Sequence, residues 1–463
     1  MLRPQSRLAR HVLFFGLPLV LGLACHAAFN LVDTLLVGQL AGPEGAAAIA
    51  VTGLCDPVST FQTILLNGPI AGAGVLLALA RGAGNHDGVR RTALQALGFV
   101  AALCVAISVP GWLLAGEIAT AMGAAEGSQH QQCAEYLRVM LGGGLTAGLF
   151  LYLTTTERAL GRTGVFLAFF LISNVLNLVL GLFLIYGDGP FPHWFPDWLA
   201  EFNRACGFPR LGVVGSAWST VGARGISALL LLGLAVLRGP MRGALSWLAP
   251  GGEVALSLLR IGLWNNGQIA ARGLAGGIFI RCVQAAGGGR EAVVGGIFVG
   301  MKVELLLTLL AFGWGAAAQT LVATSLGGGK PDRARHEERL CVAIATLAGL
   351  ALVLPLVLFA GPVAAFFNPE PGLVSWGSAY LHWMAPAFAA APLNIVLSQA
   401  LVARNRLKTP VLIDSAVLLG GLAPALVAAT LLRAPLEVLL GLNAGAGLLL
   451  SAVYVALARR SAH

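Results

Sequence analysis

Charged side chains are scarce in this sequence. Only 11% of its 463 residues are Asp, Glu, Lys or Arg, and 57% are hydrophobic, with a mean hydropathy of +0.82. A soluble domain carries roughly 25% charged residues. A chain with so few charges cannot cover its surface with groups that water solvates, so most of that surface must face lipid. The composition therefore excludes a soluble enzyme or a soluble binding module.

The patterns of reactive and metal-binding residues are also missing. The seven cysteines have no metal-ligand spacing, and the eight histidines include none in an HExxH or a Ser/His arrangement. We therefore expect no enzymatic activity, no metal and no cofactor. Cys133 and Cys206 lie near predicted outside loops, so either a disulfide between them or two free thiols is compatible with the sequence.

Long apolar segments fill most of the chain instead. Twelve of them are long enough to cross a bilayer as a helix, which takes about 20 residues. They run approximately over 13–40, 47–80, 92–115, 133–157, 164–187, 212–237, 254–283, 291–325, 338–361, 375–402, 409–432 and 435–458. The sequence predicts an all-α integral membrane protein with twelve transmembrane helices and the lipid bilayer as its surroundings.

Basic residues predict the orientation of these helices. Most of the 29 Lys and Arg residues lie at the two ends of the chain and in alternate loops, and such loops remain in the cytoplasm. We expect a multi-pass protein of the plasma membrane (the inner membrane if the cell has two) with both termini cytoplasmic. The net charge of +9 thus reflects the basic residues of the cytoplasmic loops and ends. No loop is large enough for a nucleic-acid-binding domain, so we expect no nucleic-acid partner.

The two halves of the sequence repeat the same landmarks at a nearly constant separation. The loop after the second segment contains Gly82 and the loop after the eighth contains Gly327. AEYLRVM opens the fourth segment and SAYLHWM the tenth, so that Tyr136 corresponds to Tyr380. A duplication of six helices accounts for this pattern, and parallel repeats of this kind form two bundles that open alternately to the two sides of the membrane.

The duplication predicts a domain organisation. Residues 1–237 would form an N-terminal six-helix bundle, and residues 253–463 a C-terminal one. The Gly/Pro-containing stretch 238–252, RGPMRGALSWLAPGG, would link them in the cytoplasm.

One carboxylate stands in the middle of an apolar run, FNLVDTLLVGQL at 29–40. An unpaired carboxylate costs several kcal/mol to bury there, so Asp33 needs a reason to be present. A buried carboxyl group can take up a proton on one side and release it on the other, if two conformations hold the proton with different affinity. The alternative is that Asp33 only ties helices together through hydrogen bonds.

Other charges within or near the ends of apolar segments are candidates for a cavity or a second site. They are Asp56, Arg272, Lys302, Glu304 and Asp414. For Lys302 and Glu304 a salt bridge or snorkelling near a helix end is an equal alternative.

Several stretches together resemble the multidrug and toxic compound extrusion (MATE) family, most closely its DinF-like and archaeal branch. They are GLPLVLG with FNLVDTLLVGQLAGPE, RGAGNHDGVRR, SNVLNLVLGLFLIYG and AFGWGAAAQTLVATSLGGGKPDRAR. The resemblance implies that Asp33 binds the coupling ion in a polar nest with Asn177 and Thr220. The family commonly has an Asp four residues after that Asn, where this chain has Gly181, so a sodium site is depleted and the proton is favoured over sodium.

The resemblance and the repeat predict a secondary antiporter that exports small amphipathic organic compounds, such as drugs, toxins or metabolites, and acts as a monomer. No G-x-x-x-x-G-K-[ST] loop is present, so its energy is expected from an ion gradient. Pro18, half a helix before Asp33, is the expected bending point. The alternatives are a flippase for a lipid-linked precursor from the same superfamily and, less favoured, a membrane-embedded enzyme.

Overall fold

The structure is a computed structural model, and it describes residues 4–40, 43–124, 126–239, 241, 251–288, 290–367 and 369–460. Helices dominate these residues, and none of them is in a strand. Twelve helical segments in this part of the chain are long and apolar enough to cross a membrane. The predicted all-α membrane fold with twelve spans is thereby confirmed.

The helices follow the predicted segments closely. In chain order they are α1 Pro4–Gly38, α2 Pro43–Gly82, α3 His86–Leu113, α4 Ala115–Ala121, α5 Ser128–Gly142, α6 Gly144–Ala159, α7 Thr163–Leu184, α8 Asp197–Cys206, α9 Gly212–Arg238, α10 Gly252–Ala286, α11 Glu291–Gly327, α12 Pro331–Leu358, α13 Ala360–Phe367, α14 Pro371–Ala403, α15 Lys408–Asp414, α16 Ala423–Leu431 and α17 Leu436–Arg460.

Two of the spans depart from a regular α-helix. The fourth span consists of α5 and α6, which meet at Gly143. The eleventh span begins as α15, continues as a π-helix over Ser415–Leu422 and ends as α16. π-Helical turns are rare and occur frequently at functional sites, and this one starts directly after Asp414.

Large apolar side chains cover the outside of the helices. Leu354 is 66% exposed, Leu229 69% and Phe366 86%. A soluble monomer rarely exposes extensive apolar patches, whereas lipid solvates these side chains without a penalty. The exposed surface therefore supports the membrane location that the composition predicts.

Contacts divide the chain into two compact units. One unit contains Cys25–Leu77 and Asn85–Gly262, and the other contains Met1–Ala24, Ala78–Gly84 and Leu263–His463. We call them the N-unit and the C-unit. Their limits fall inside α1, α2 and α10, so the units and the two sequence halves do not coincide residue by residue. The predicted division at 238–252 stays a prediction, since residues 240 and 242–250 lie outside the described part of the chain.

Each unit has its own buried core. In the N-unit, Val51, Leu137 and Tyr186 are fully buried in a cluster to which α1, α2, α4, α5, α8 and α9 contribute. In the C-unit, Phe279 and Leu439 are buried in a cluster drawn from α10, α11, α14, α16 and α17. Interdigitated side chains of this kind fix the helices that carry the polar residues described below.

The repeated glycines of the two equivalent loops meet within the C-unit. A Cβ atom on Gly82 would lie 1.9 Å from the carbonyl oxygen of Thr324, and one on Gly327 would lie 2.1 Å from the carbonyl oxygen of Leu79. The end of α2 and the end of α11 thus approach each other backbone to backbone. Only glycine permits this approach at either position.

Candidate functional site

Asp33 lies in a polar nest formed by three helices of the N-unit. Its Oδ1 accepts a hydrogen bond from Nδ2 of Asn177 on α7 at 2.8 Å. Its Oδ2 accepts one from the hydroxyl of Thr220 on α9 at 2.7 Å. Asn177 and Thr220 are buried, while Asp33 is partly exposed. The structure brings together the three residues that the sequence analysis assigned to ion coupling, although they are far apart in the chain.

The partners of Asp33 can accommodate a carboxylate or a carboxylic acid. The hydroxyl of Thr220 is both a donor and an acceptor, so it can turn toward a protonated oxygen. Oδ1 of Asn177 is buried and accepts no hydrogen bond from the described residues, so it can contact a water molecule or a cation. The nest can therefore hold the residue in either protonation state.

A second acid and a base surround the nest. Asp56 on α2 accepts a hydrogen bond from the hydroxyl of Tyr136 on α5 at 3.1 Å, and it interacts electrostatically with Asp33. Arg224, one helical turn after Thr220 on α9, interacts electrostatically with Asp33 as well. Arg224, as an opposite charge, limits the cost of an ionised Asp33 at membrane depth, whereas Asp56, as a like charge, adds to it.

Gly181 leaves the nest without the additional carboxylate that the resemblance would place there. A Cβ atom at this position would lie 2.9 Å from Cδ1 of Leu36, so even a small side chain would press on α1. Among the described residues, no cluster of three or more His, Cys, Asp and Glu side chains could hold a metal ion.

Pro18 lies inside α1, and the helix continues through it from Pro4 to Gly38. It belongs to the C-unit, whereas Asp33 belongs to the N-unit. Its role as a bending point stays a prediction.

Asp414 and Arg272 form an ion pair in the C-unit. Nε of Arg272 on α10 lies 2.6 Å from Oδ2 of Asp414, the last residue of α15. Gln268 donates to the same carboxylate at 3.0 Å, and the hydroxyl of Tyr454 on α17 donates to it at 2.8 Å. Nη2 of Arg272 also donates to Oδ1 of Asn394 on α14 at 3.1 Å. Both charges are candidates from the sequence, which does not indicate that they pair.

Glu304 on α11 accepts a hydrogen bond from the hydroxyl of Tyr380 on α14. Lys302 is exposed, and it forms no salt bridge with Glu304 in the described part of the chain. The salt-bridge alternative for this pair is therefore wrong, and Glu304 is a second carboxyl group held by a tyrosine.

The two tyrosine–carboxyl pairs are related by the duplication. Tyr136 and Tyr380 are equivalent, and the acids precede them by 80 and 76 residues. Relative to its tyrosine, the acid of the C-unit therefore lies one helical turn later than the acid of the N-unit, on the same face of the helix. Gly300 occupies the position equivalent to Asp56, and a Cβ atom there would lie 2.3 Å from Cδ1 of Tyr380. The tyrosine ring packs on that glycine and reaches the acid of the next turn.

The partners that hold these acids are not evident from the sequence. Tyr136 and Tyr380 mark the repeat in the sequence, and their recurrence near the start of the same span is a usable signal. Gln268 and Tyr454 gave none, because an apolar helix carries isolated polar residues for many reasons. The seven cysteines are all free, so no disulfide joins Cys133 and Cys206.

Comparison with known proteins agrees with this architecture. The profile of the MatE family matches residues 18–183 and 286–427. The chain is 24% identical over 413 residues to a FAD transporter of Shewanella oneidensis, covering 87% of this chain and 84% of that protein. It is 23% identical over 398 residues to the probable multidrug resistance protein YpnP of Bacillus subtilis, covering 85% and 82%. A crystal structure of MATE in complex with MaL6 superposes with a TM-score of 0.85 at 20% identity, over 99% of this chain and 98% of that one.

Proposed function

The chain belongs to the MatE family, whose members are transporters and not enzymes, and from this premise we propose that it is an ion-coupled antiporter. It exports small amphipathic organic compounds by alternating access, in exchange for a cation that enters down its gradient. The duplicated six-helix pattern suits such a cycle, because two similar bundles can open alternately to the two sides.

The observation that carries this proposal is the nest around Asp33. A carboxyl group in a membrane span is costly unless it has partners, and this one has a donor on each oxygen while it stays partly exposed. We propose that protons reach it through its partly exposed face, and that the donors on α7 and α9 transmit a change of its charge to two other helices.

The coupling ion is proposed to be the proton. A sodium ion requires several oxygen ligands at once, as other hard cations do, and Gly181 contributes none. Asp56 is close enough to Asp33 to interact with it, but its carboxylate is held by Tyr136. Sodium is the alternative, with Oδ1 of Asn177 as one ligand.

The remaining parts of the proposal follow from the sequence. The protein is a monomer of the plasma membrane with both termini in the cytoplasm, as the distribution of basic residues predicts. It has no cofactor other than the coupling ion. Its substrates extend from typical drug-like amphiphiles to aromatic anions, because one relative is a FAD transporter.

The test uses proteoliposomes with a pH gradient or a sodium gradient imposed separately. We expect the pH gradient alone to drive uptake of a fluorescent amphiphile, and a protonophore to abolish it. Asp33→Asn should bind the amphiphile but fail to accumulate it, since an amide takes up no proton in this range. Accumulation driven only by sodium would refute proton coupling, and full accumulation by the variant would remove Asp33 from the mechanism.

A further inference from the structure

Arg272 lies too deep in the membrane for its charge to be incidental. It is twelve residues beyond Arg260 on α10, which is about 18 Å at 1.5 Å per residue. The hydrocarbon core is about 30 Å thick, so Arg272 falls well inside it if Arg260 marks the cytoplasmic edge. Its side chain is nevertheless 26% exposed. A guanidinium at this depth is costly unless polar groups or water meet it.

Buried polar side chains hold the guanidinium in one orientation. Asp414 fixes Nε and Asn394 fixes Nη2. Asp414 is itself held by Gln268 and Tyr454, and Asn394 donates to the hydroxyl of Ser451 at 3.0 Å. These five supporting residues are all less than one-tenth exposed.

This arrangement leaves some N–H donors of the planar guanidinium of Arg272 available; we call this group of donors the fork. A guanidinium has five N–H donors. Two of those of Arg272 contact Asp414 and Asn394, and the guanidinium also interacts with the hydroxyl of Tyr454. At least two of the five donors remain beyond these three contacts. A guanidinium binds a carboxylate or a phosphate with two parallel hydrogen bonds.

The charge of Asp414 makes the fork suitable for reversible binding. A lone guanidinium in a low dielectric would hold an anion tightly, and a carrier must also release its substrate. Asp414 is fully buried and already neutralises Arg272. The π-helix that follows Asp414 from Ser415 to Leu422 gives the span an irregular segment directly beside the pair.

We propose that Arg272 is the residue of the C-unit that recognises an acidic group of the substrate, and that the transported compounds include aromatic anions bearing a phosphate or a carboxylate. This assignment rests on the proposed export function and narrows its substrate class. The neighbouring base Lys408 lies 5.6 Å from the ring centre of Trp264, two turns before Arg272 on α10. It adds positive charge to the same pair of spans, α10 and α15.

Flavins provide matched probes, because riboflavin and FMN share one fluorescent ring system and differ by a phosphate. Binding to the purified protein is measured by fluorescence anisotropy in a neutral detergent, where no anionic lipid competes. We expect wild type to bind FMN at least about tenfold more tightly than riboflavin, which corresponds to about 1.4 kcal/mol. A wild-type protein that binds both equally overturns the proposal.

Three variants assign the preference to the fork. Arg272→Lys keeps the charge but not the fork, so the FMN preference should fall severalfold. Arg272→Gln alone would leave Asp414 buried and unpaired and could fail to fold, so it is combined with Asp414→Asn. This double variant should bind FMN and riboflavin alike. Arg281→Gln, which removes an exposed base nine residues further along α10, should keep the wild-type preference.

Failure of this inference is distinguishable from failure of the export function. Equilibrium binding needs no transport, so a flavin preference that depends on Arg272 supports the site even in a protein that exchanges no protons. The site is overturned if the double variant still prefers FMN over riboflavin as strongly as wild type does. It is also overturned if Arg281→Gln loses that preference. In either case, proton exchange driven by an uncharged or cationic amphiphile would still support the proposed export function. Added short-chain phosphatidylglycerol that displaces FMN at equal concentration would identify a lipid site and overturn the substrate assignment.

Discussion

The close approach of Gly82 and Gly327 gives a prediction with a calculable cost. Changing either glycine to alanine adds one methyl group between two backbones. The new Cβ would lie 1.9 Å from the oxygen of Thr324 or 2.1 Å from the oxygen of Leu79. An ordinary contact between nonbonded heavy atoms is roughly 3.5 Å, so α2 and α11 would have to separate by more than an ångström. Backbone atoms cannot rotate away as a side chain can.

The expected destabilisation is the difference of two terms. Overpacking of this kind costs about 1–3 kcal/mol or more, while replacing a helical glycine by alanine gains about 0.5–1 kcal/mol. A net loss of about 1–2 kcal/mol follows for Gly82→Ala and for Gly327→Ala. Thermal unfolding of the detergent-solubilised protein should occur several degrees lower for both variants than for wild type.

Gly276→Ala is the matched control for this prediction. Gly276 lies inside α10, and a Cβ atom there would meet nothing within 4 Å. This substitution should therefore leave the unfolding temperature unchanged or raise it. The reasoning is refuted if Gly82→Ala and Gly327→Ala unfold at the same temperature as Gly276→Ala, because the two helices would then not approach at these glycines.

Two further predictions concern the hydroxyl groups that hold the acids. Tyr380→Phe removes the hydrogen-bond partner of Glu304, a half-buried carboxyl group, and should cost about 1 kcal/mol, the net contribution of a typical hydrogen bond. Thermal unfolding measures this loss, and Glu304→Gln, which can still accept the bond, is the control that should lose less. Thr220→Val keeps the shape of the side chain but removes the donor to Oδ2 of Asp33, so coupled proton exchange should slow by about tenfold, equivalent to about 1.4 kcal/mol. Thr220→Ser retains a hydroxyl and should exchange protons nearly as wild type does. Equal rates for these two variants would show that the bond to Asp33 does not matter.

The sequence was sufficient for the helices because each span is a long apolar run with a clear end. It was also sufficient to predict the residues of the nest, because Asp33, Asn177 and Thr220 match a family pattern. In the structure the three side chains are joined by hydrogen bonds. The pairing of Arg272 with Asp414 was out of reach, because the two residues lie on different helices and no local spacing links them.

Local irregularities were equally hidden from the sequence. The π-helix over Ser415–Leu422 depends on how its span packs against neighbours, and no residue type in SAVLLGGL specifies it. The shift of the acid from the position of Gly300 to Glu304 is visible only once the ring of Tyr380 is located. Packing between helices decided each of these features.

The most direct test of the account counts the protons that Asp33 releases when a substrate binds. Purified protein in weakly buffered detergent is mixed with a transported amphiphile, and the pH change is recorded for wild type and for Asp33→Asn. The account predicts that wild type releases about one proton per substrate bound, because the two ligands favour different states of one bundle. Asp33→Asn should bind the substrate and release none. Equal proton release by the two proteins would contradict the central role of Asp33 and move the coupling site to Glu304 or Asp414.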